Sequence, residues 1–291
     1  MSDVPPEGPV GDLSSRVPVG GLSSEGPVGG LSSRVPVGGL SSEGPVGGLS
    51  SRGPVGGLPS QGPVGGLPSQ RPVGEPPLRA VVLDLDGVLI DSIHVMRRAF
   101  QRAYALTVGA GEAPFEEYLA HLGRHMPDTL RIMGLPVAMY EPFVIESRKL
   151  VHEIEPCPGA AELLTGLREA GLALAVATGK THGRAVEALA ATGLLDLVDA
   201  VCGSDEVAHG KPAPDIVLLA LDKIGATAED AVMVGDSALD LRAGRAAGTR
   251  TAACLWGQGD REELLGHRPD LVAASCAELA VLLHHREGTP A

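Results

Sequence analysis

From Leu78 onward, short apolar runs alternate with amphipathic stretches, and most of the runs lead into a residue able to do chemistry. Residues 80–83 are a four-residue apolar run, which predicts a buried strand. Further runs at 172–177, 199–202, 231–234 and 251–255 predict four more strands, and 270–273 predicts a weak last one. Helical patterns lie between them, at 160–170, 214–224 and 237–247, and Gly171 provides the usual stop for the first of these. Strand and helix in repeated alternation predict an α/β domain, a parallel sheet covered by helices on both faces.

One interval breaks this rhythm. About seventy residues lie between the strand at 80–83 and the helix at 160–170, and four helices are expected there, at 92–105, 114–121, 127–133 and 139–152. All three Phe and all three Tyr fall between Phe100 and Phe143, whereas the sheet region has only Trp256. A segment with its own aromatic cluster reads as a helical subdomain rather than one long crossover. The expected organisation is a tail at 1–78, a catalytic core at 79–91 and 156–284, a helical cap at 92–155 and a short C-terminal tail at 285–291.

The tail is a nonapeptide repeat, Pro-Val-Gly-Gly-Leu-Ser-Ser-x-x, with copies beginning at Pro9, Pro18, Pro27, Pro36, Pro45, Pro54 and Pro63, and a decaying one at Pro72. Val and Leu are the only large apolar side chains of the unit, which is too little burial to offset the entropy of ordering. Proline in every unit removes ladder donors, and the repeated unit, apart from Asp12 in the first copy, lacks the Asp of calcium-binding solenoids. The segment is therefore expected to be disordered and dispensable for turnover, with a flexible tether as the alternative.

The formal charge of -13, with only 23 Lys and Arg among 291 residues, argues against nucleic acid or an anionic membrane as a partner. Any anionic ligand must be met by local cations. Cys157, Cys202, Cys254 and Cys276 form no C-x-x-C pair, which fits reduced, buried thiols in a cytoplasmic protein better than a zinc or redox site. No signal peptide and no membrane span is evident. Oligomeric state is not legible.

The predicted strand ends carry the chemistry, and this is the edge at which open parallel sheets bind ligands. Asp84 and Asp86 follow the first strand, Thr178 and Gly179 the second, Lys211 the third, and Asp236 with Asp240 the fourth. A phosphoryl centre is shielded by its own negative charge, so an attacking carboxylate such as Asp84 needs that charge neutralised. A hard cation, Mg2+ above all, does this with oxygen ligands from Asp84, Asp236 and the main-chain carbonyl of Asp86. Asp240 is either a further ligand or a group one step removed. The Thr178 hydroxyl and the amides near Gly87 and Gly179 can donate to phosphate oxygens. Lys211 can pair with phosphate and with Asp84, and Asp86 can serve as acid and base. Each feature alone is common; Asp236 before Ser237, for example, could be no more than part of a helix start. Their order along successive strands is the signal.

Thr178-Gly179-Lys180-Thr181 ends like a nucleotide-binding phosphate loop, but that loop needs glycine where Leu174 stands. Lys180 is then expected at a helix start or on the surface. Arg124, after Gly123 in an expected loop, either reaches a substrate anion or is a surface arginine.

Asp84-Leu85-Asp86-Gly87-Val88, Ala177-Thr178-Gly179, Lys211-Pro212 and Gly235-Asp236-Ser237-x-x-Asp240 resemble the four motifs of the haloacid-dehalogenase-like superfamily. The resemblance covers roughly residues 79–284. It implies a Rossmann-like core, a helical cap as in phosphoglycolate phosphatases and β-phosphoglucomutases, and phosphate-ester hydrolysis through an aspartyl-phosphate. Halide-removing members lack the second Asp, so Asp86 disfavours dehalogenation. Within the insert, His121-Leu122-Gly123-Arg124 and Arg131-Ile132-Met133-Gly134-Leu135-Pro136 resemble phosphatases associated with 3-amino-5-hydroxybenzoate synthesis, a source of ansamycin-type antibiotics. The expectation is a Mg2+-dependent phosphatase acting on a small-molecule phosphate ester. A phosphomutase and a non-catalytic tethering protein are the competing readings.

Overall fold

The computed structural model describes residues 77–284; the nonapeptide repeat through residue 76 and residues 285–291 lie outside the described residues. Leu78 is already buried in the core.

Eight strands and ten α-helices follow in chain order among the described residues, with short 3-10 turns between some of them: β1 (Ala80–Leu83), β2 (Ile90–Asp91), α1 (Ile93–Thr107), α2 (Phe115–Leu119), α3 (Met126–Ile132), α4 (Tyr140–Lys149), β3 (Glu155–Pro156), α5 (Ala160–Glu169), β4 (Ala173–Ala177), α6 (His182–Ala191), β5 (Ala200–Cys202), α7 (Asp215–Lys223), β6 (Ala231–Gly235), α8 (Ala238–Ala247), β7 (Arg250–Cys254), α9 (Arg261–Gly266), β8 (Leu271–Ala273) and α10 (Cys276–His284). Six of the strands form one parallel sheet, in the order β5-β4-β1-β6-β7-β8.

Alternation along the central strands builds the two faces. Val81 and Leu83 join Val176, Val232 and Val234 on one side, where Leu163, Leu167, Leu189 and Leu279 cover them. Ala80 and Val82 face the other way, with Ala175, Met233, Ile216, Val217 and Leu221. Both faces are dry, which explains why these strands read as unbroken apolar runs. The α/β class expected from the sequence, a parallel sheet with helices on both faces, is the fold observed.

Helices α1–α4 fall in the long interval after β1. They gather a separate apolar cluster that includes Met96, Phe100, Phe115, Tyr118, Leu130, Met139 and Phe143. Phe100 stacks on Tyr118 with ring centroids 4.9 Å apart. Two short strands escaped the sequence reading: β2 and β3 pair antiparallel where the chain leaves for this helical insert and where it returns. Two-residue strands show no periodicity. Among the described residues, no helix is long and apolar enough to cross a membrane, and all four cysteines are buried with free thiols.

Candidate active site

The chain runs from β1 through β4 to β5 on one side, then returns to β6 on the other side of β1. The crevice at the ends of β1 and β6 is therefore the switch point at which such sheets bind ligands. Asp84 follows β1 there and Asp236 follows β6, and both are almost fully buried.

Asp84, Asp236 and Asp240 bring carboxylate oxygens within 4.8 Å of one another. Lys211, on the loop after β5, reaches into this cluster with no side-chain exposure of its own. Its ammonium donates to Asp84 Oδ1 at 2.8 Å, to Asp240 Oδ1 at 2.6 Å and to the Ala177 carbonyl at 3.2 Å. Both oxygens of Asp240 are occupied, because Oδ2 accepts from the Ser237 amide and hydroxyl in the capping box that opens α8. Asp240 thus holds Lys211, and the helix start that aims it follows from Ser237 at the N-cap. Asp236 Oδ2 accepts from the Gln258 amide at 2.8 Å.

One ammonium among three carboxylates leaves the cluster anionic. Burial pushes the Asp84 carboxyl up to about 7, against the pull of Lys211 and with the charges of Asp240 and Asp86 adding to the rise. Burial, then Asp84 and Asp240, hold Asp236 well above the usual carboxylate range. The donor set of hard oxygens and the excess of negative charge both fit a hard divalent cation. So does the space: a Cβ at Gly87, whose φ is +79°, would lie 2.1 Å from Asp236 Oδ2.

Thr178 is buried, and its hydroxyl accepts from the Lys180 amide at 3.2 Å. Among the described residues, the amides of Leu85, Asp86 and Gly179 donate to no protein acceptor, so three N–H groups at the ends of β1 and β4 are free for an anion. The Gly87 amide donates to the Ile90 carbonyl at 2.9 Å, which corrects its expected part in binding phosphate; its neighbours carry the free donors.

Lys180 stands at a helix start, one of its two expected places, just ahead of the Thr181 N-cap of α6; the other expected place, the surface, is corrected. It is buried rather than at the surface, and its ammonium lies 2.6 Å from each oxygen of Asp86. Ser92 Oγ also donates to Asp86 Oδ1. Burial would raise the Asp86 carboxyl, but Lys180, by charge and by hydrogen bonds, holds it below its ordinary value, with help from Ser92 and Arg184. Arg184, on α6, was likewise not singled out from sequence. It is buried, donates to Ser147 Oγ of α4 at 3.2 Å and lies over the Phe143 ring at 5.2 Å. A lysine directly after Thr178-Gly179 was the available signal for the first; for Arg184 the sequence offers none.

The insert closes on the core at Gly179, where a Cβ would lie 2.5 Å from the Gly123 carbonyl oxygen and 2.9 Å from that of Arg124. Arg124 is therefore brought to the site, and its Nε is buried without a hydrogen-bond partner. With Leu122, Asp236, Ser237 and Arg242 it lines a cavity of about 420 Å³ between insert and core.

A buried aspartate cluster at the switch point of a parallel sheet, steadied by one lysine and roofed by a helical insert, can hold a hard cation with an anionic group beside it. Residues 81–254 match the model of the haloacid dehalogenase-like hydrolases. The chain is 32% identical to pyrophosphatase PpaX of Bacillus pumilus, over 72% of this chain and 98% of that protein. It is 31% identical to phosphatase IndB of Dickeya dadantii, over 70% of this chain and 93% of that protein. Among solved structures, CbbY of Rhodobacter sphaeroides in complex with phosphate superposes with a TM-score of 0.61 at 28% identity, covering 69% of this chain and 96% of that one. The chain belongs to the haloacid dehalogenase-like hydrolase family, and with these relatives it stands among the family's phosphatases.

Proposed function

We propose that the protein is a Mg2+-dependent phosphatase that hydrolyses a small-metabolite phosphate ester through an aspartyl-phosphate on Asp84. The observation that carries this reading is the Lys211–Asp84 contact at 2.8 Å, set beside three unused amides. Lys211 holds one oxygen of Asp84 and leaves the other for attack on phosphorus. The Leu85, Asp86 and Gly179 amides and the Thr178 hydroxyl receive the phosphoryl oxygens, at the place where charge develops. A divalent ion held by Asp84, Asp236 and the Asp86 main-chain carbonyl supplies the positive charge that neutralises the phosphoryl group. Asp86 passes to the leaving oxygen a proton lent by the Lys180 ammonium, which touches both its oxygens and is held below its ordinary value by burial, and the pair recovers that proton from the water that attacks the aspartyl-phosphate. The carboxylate that Lys180 and Ser92 maintain is the form the second half needs.

The helical insert acts as the cap that excludes water and selects the substrate, and Arg124 is the residue it offers to an anion. The likeness of the insert to 3-amino-5-hydroxybenzoate-associated phosphatases supports a substrate from ansamycin-type biosynthesis in the cytoplasm. The test is release of inorganic phosphate from sugar phosphates, phosphoglycolate and pyrophosphate, with Mg2+ and with a chelator. Chelator-sensitive release is the expected result. An isomerised sugar phosphate without free phosphate makes the protein a phosphomutase instead, and no turnover of any ester overturns the reading.

A further inference from the structure

We propose that Trp256 is a positioning residue for the cation site: its indole N–H ties the loop after β7 to the loop after β1, and Asp236 is held in the slot between them. This rests on the reading of Asp84, Asp236 and the Asp86 main-chain carbonyl as the ligands of the cation, and adds the side chain that fixes one of them in place.

The sheet order sets β6 between β1 and β7. Asp236, directly after β6, therefore has the loop after β1 on one side and the loop after β7 on the other. Both loops close on it with bare backbone. A Cβ at Gly87, after β1, would lie 2.1 Å from Asp236 Oδ2, and one at Gly257, after β7, would lie 2.3 Å from the same oxygen. The Gln258 amide donates to Oδ2 at 2.8 Å. Oδ2 is thus enclosed from both sides. Oδ1 stands farther from the Gly87 wall, at 3.4 Å on the same measure, and is the more open oxygen.

One side chain spans the slot. Trp256, two residues past the end of β7, donates from Nε1 to the Val88 carbonyl at 3.2 Å, across 168 positions of the chain. Each end of this bond is next to a wall: Val88 follows Gly87, and Gly257 follows Trp256. Packing alone does not fix the indole. It rests against the core on one part of its surface, but with Cys157, Cys276 and Gln258 it also lines a cavity of about 340 Å³. A ring with open space beside it can tilt, and a directional hydrogen bond sets its angle. Without that bond the two loops are free to part, Asp236 gains room to turn, and a ligand carboxylate that is no longer oriented binds its ion less tightly.

The experiment titrates Mg2+ into the full chain without substrate and follows the rise in Tm, for wild type, Trp256→Phe and Trp256→Leu. Trp256→Phe keeps an aromatic ring and removes the donor. It is expected to weaken Mg2+ binding about three- to tenfold, the effect of one neutral hydrogen bond. Trp256→Leu, which loses the ring as well, is expected to weaken it at least as much. Turnover should follow the cation: the Mg2+ concentration for half-activation of Trp256→Phe rises by the same factor, while saturating Mg2+ restores kcat and KM. Variants that melt earlier in chelator yet bind Mg2+ with wild-type affinity overturn the proposal and leave Trp256 a packing residue. So does a loss of kcat that excess Mg2+ does not restore. A wild type whose Tm ignores Mg2+ removes the cation reading itself, and the role of Trp256 with it.

Discussion

Lys180 grips both carboxylate oxygens of Asp86 at 2.6 Å, tying the end of β4 to the turn after β1 beneath the helical insert. The pair is lopsided. Asp86 is held below its ordinary value, whereas burial and the neighbouring Arg184 hold the Lys180 ammonium below its own. Lys180→Gln therefore strands a buried carboxylate. The expected loss of stability at pH 7 is about 3 kcal/mol, the low end for breaking a buried pair because Arg184 stays near. The depressed Asp86 value stabilises the fold above the ordinary carboxylate value of 3.8, and that stability fades as pH falls through the folded value. Urea unfolding at pH 7 and near pH 3 should accordingly show the gap between wild type and variant shrinking on acidification.

Asp84→Asn is expected to abolish turnover by on the order of 10⁴-fold or more, the scale seen when a nucleophile is removed. Lys211 keeps Asp240 as its partner at 2.6 Å, so the variant should remain folded. Single-turnover assays alongside a melting curve check both halves. Near-normal kcat would remove Asp84 as nucleophile.

Much of this site could be read from the chain because it is built on strand ends. Asp84, Thr178 and Asp236 follow apolar runs too short for a helix of ordinary length and rich in Val, so they read as buried strands and their convergence follows from the parallel sheet. For Asp240 the chain left two roles open, a metal ligand or a group one step removed, and only the geometry shows both of its oxygens engaged, with Lys211 and with Ser237. Arg184 was out of reach for another reason, and so was the burial of Lys180, although its place directly after Thr178-Gly179 was a signal. Arg184 meets Ser147 of α4 from 37 positions away in the chain, and Lys180 meets Asp86, which Ser92 also contacts, from 94 positions away. Local pattern carries no trace of such contacts.

Metal binding should depend on pH. Asp84 lies at about 7 and Asp236 well above the usual range, so a cation must displace protons from both. A raised folded value stabilises the metal-free protein below the ordinary value of 3.8, and that contribution is lost as pH rises through about 7. Melting curves in chelator should therefore fall between pH 5 and pH 8, and the increase in Tm on adding Mg2+ should be larger at pH 8. An equal Mg2+ effect at both values would detach the cation from these carboxylates.

Gly179→Ala tests the closure of the insert. The added Cβ would lie 2.5 Å from a backbone oxygen of Gly123, an atom that cannot rotate away like a side-chain tip. The loop carrying Gly123 and Arg124 has to retreat from the end of β4, and it takes with it the Arg124 side chain that lines the cavity between insert and core. The sheet is untouched by this, since Gly179 lies beyond the last residue of β4. A displacement of about 1 Å at a reacting centre costs on the order of a hundredfold in rate, and kcat/KM should drop on that scale. Unfolding by urea should meanwhile stay close to wild type. A variant that keeps full activity would mean the insert need not approach Gly179 during turnover, and selection of the substrate would then fall to residues of the core.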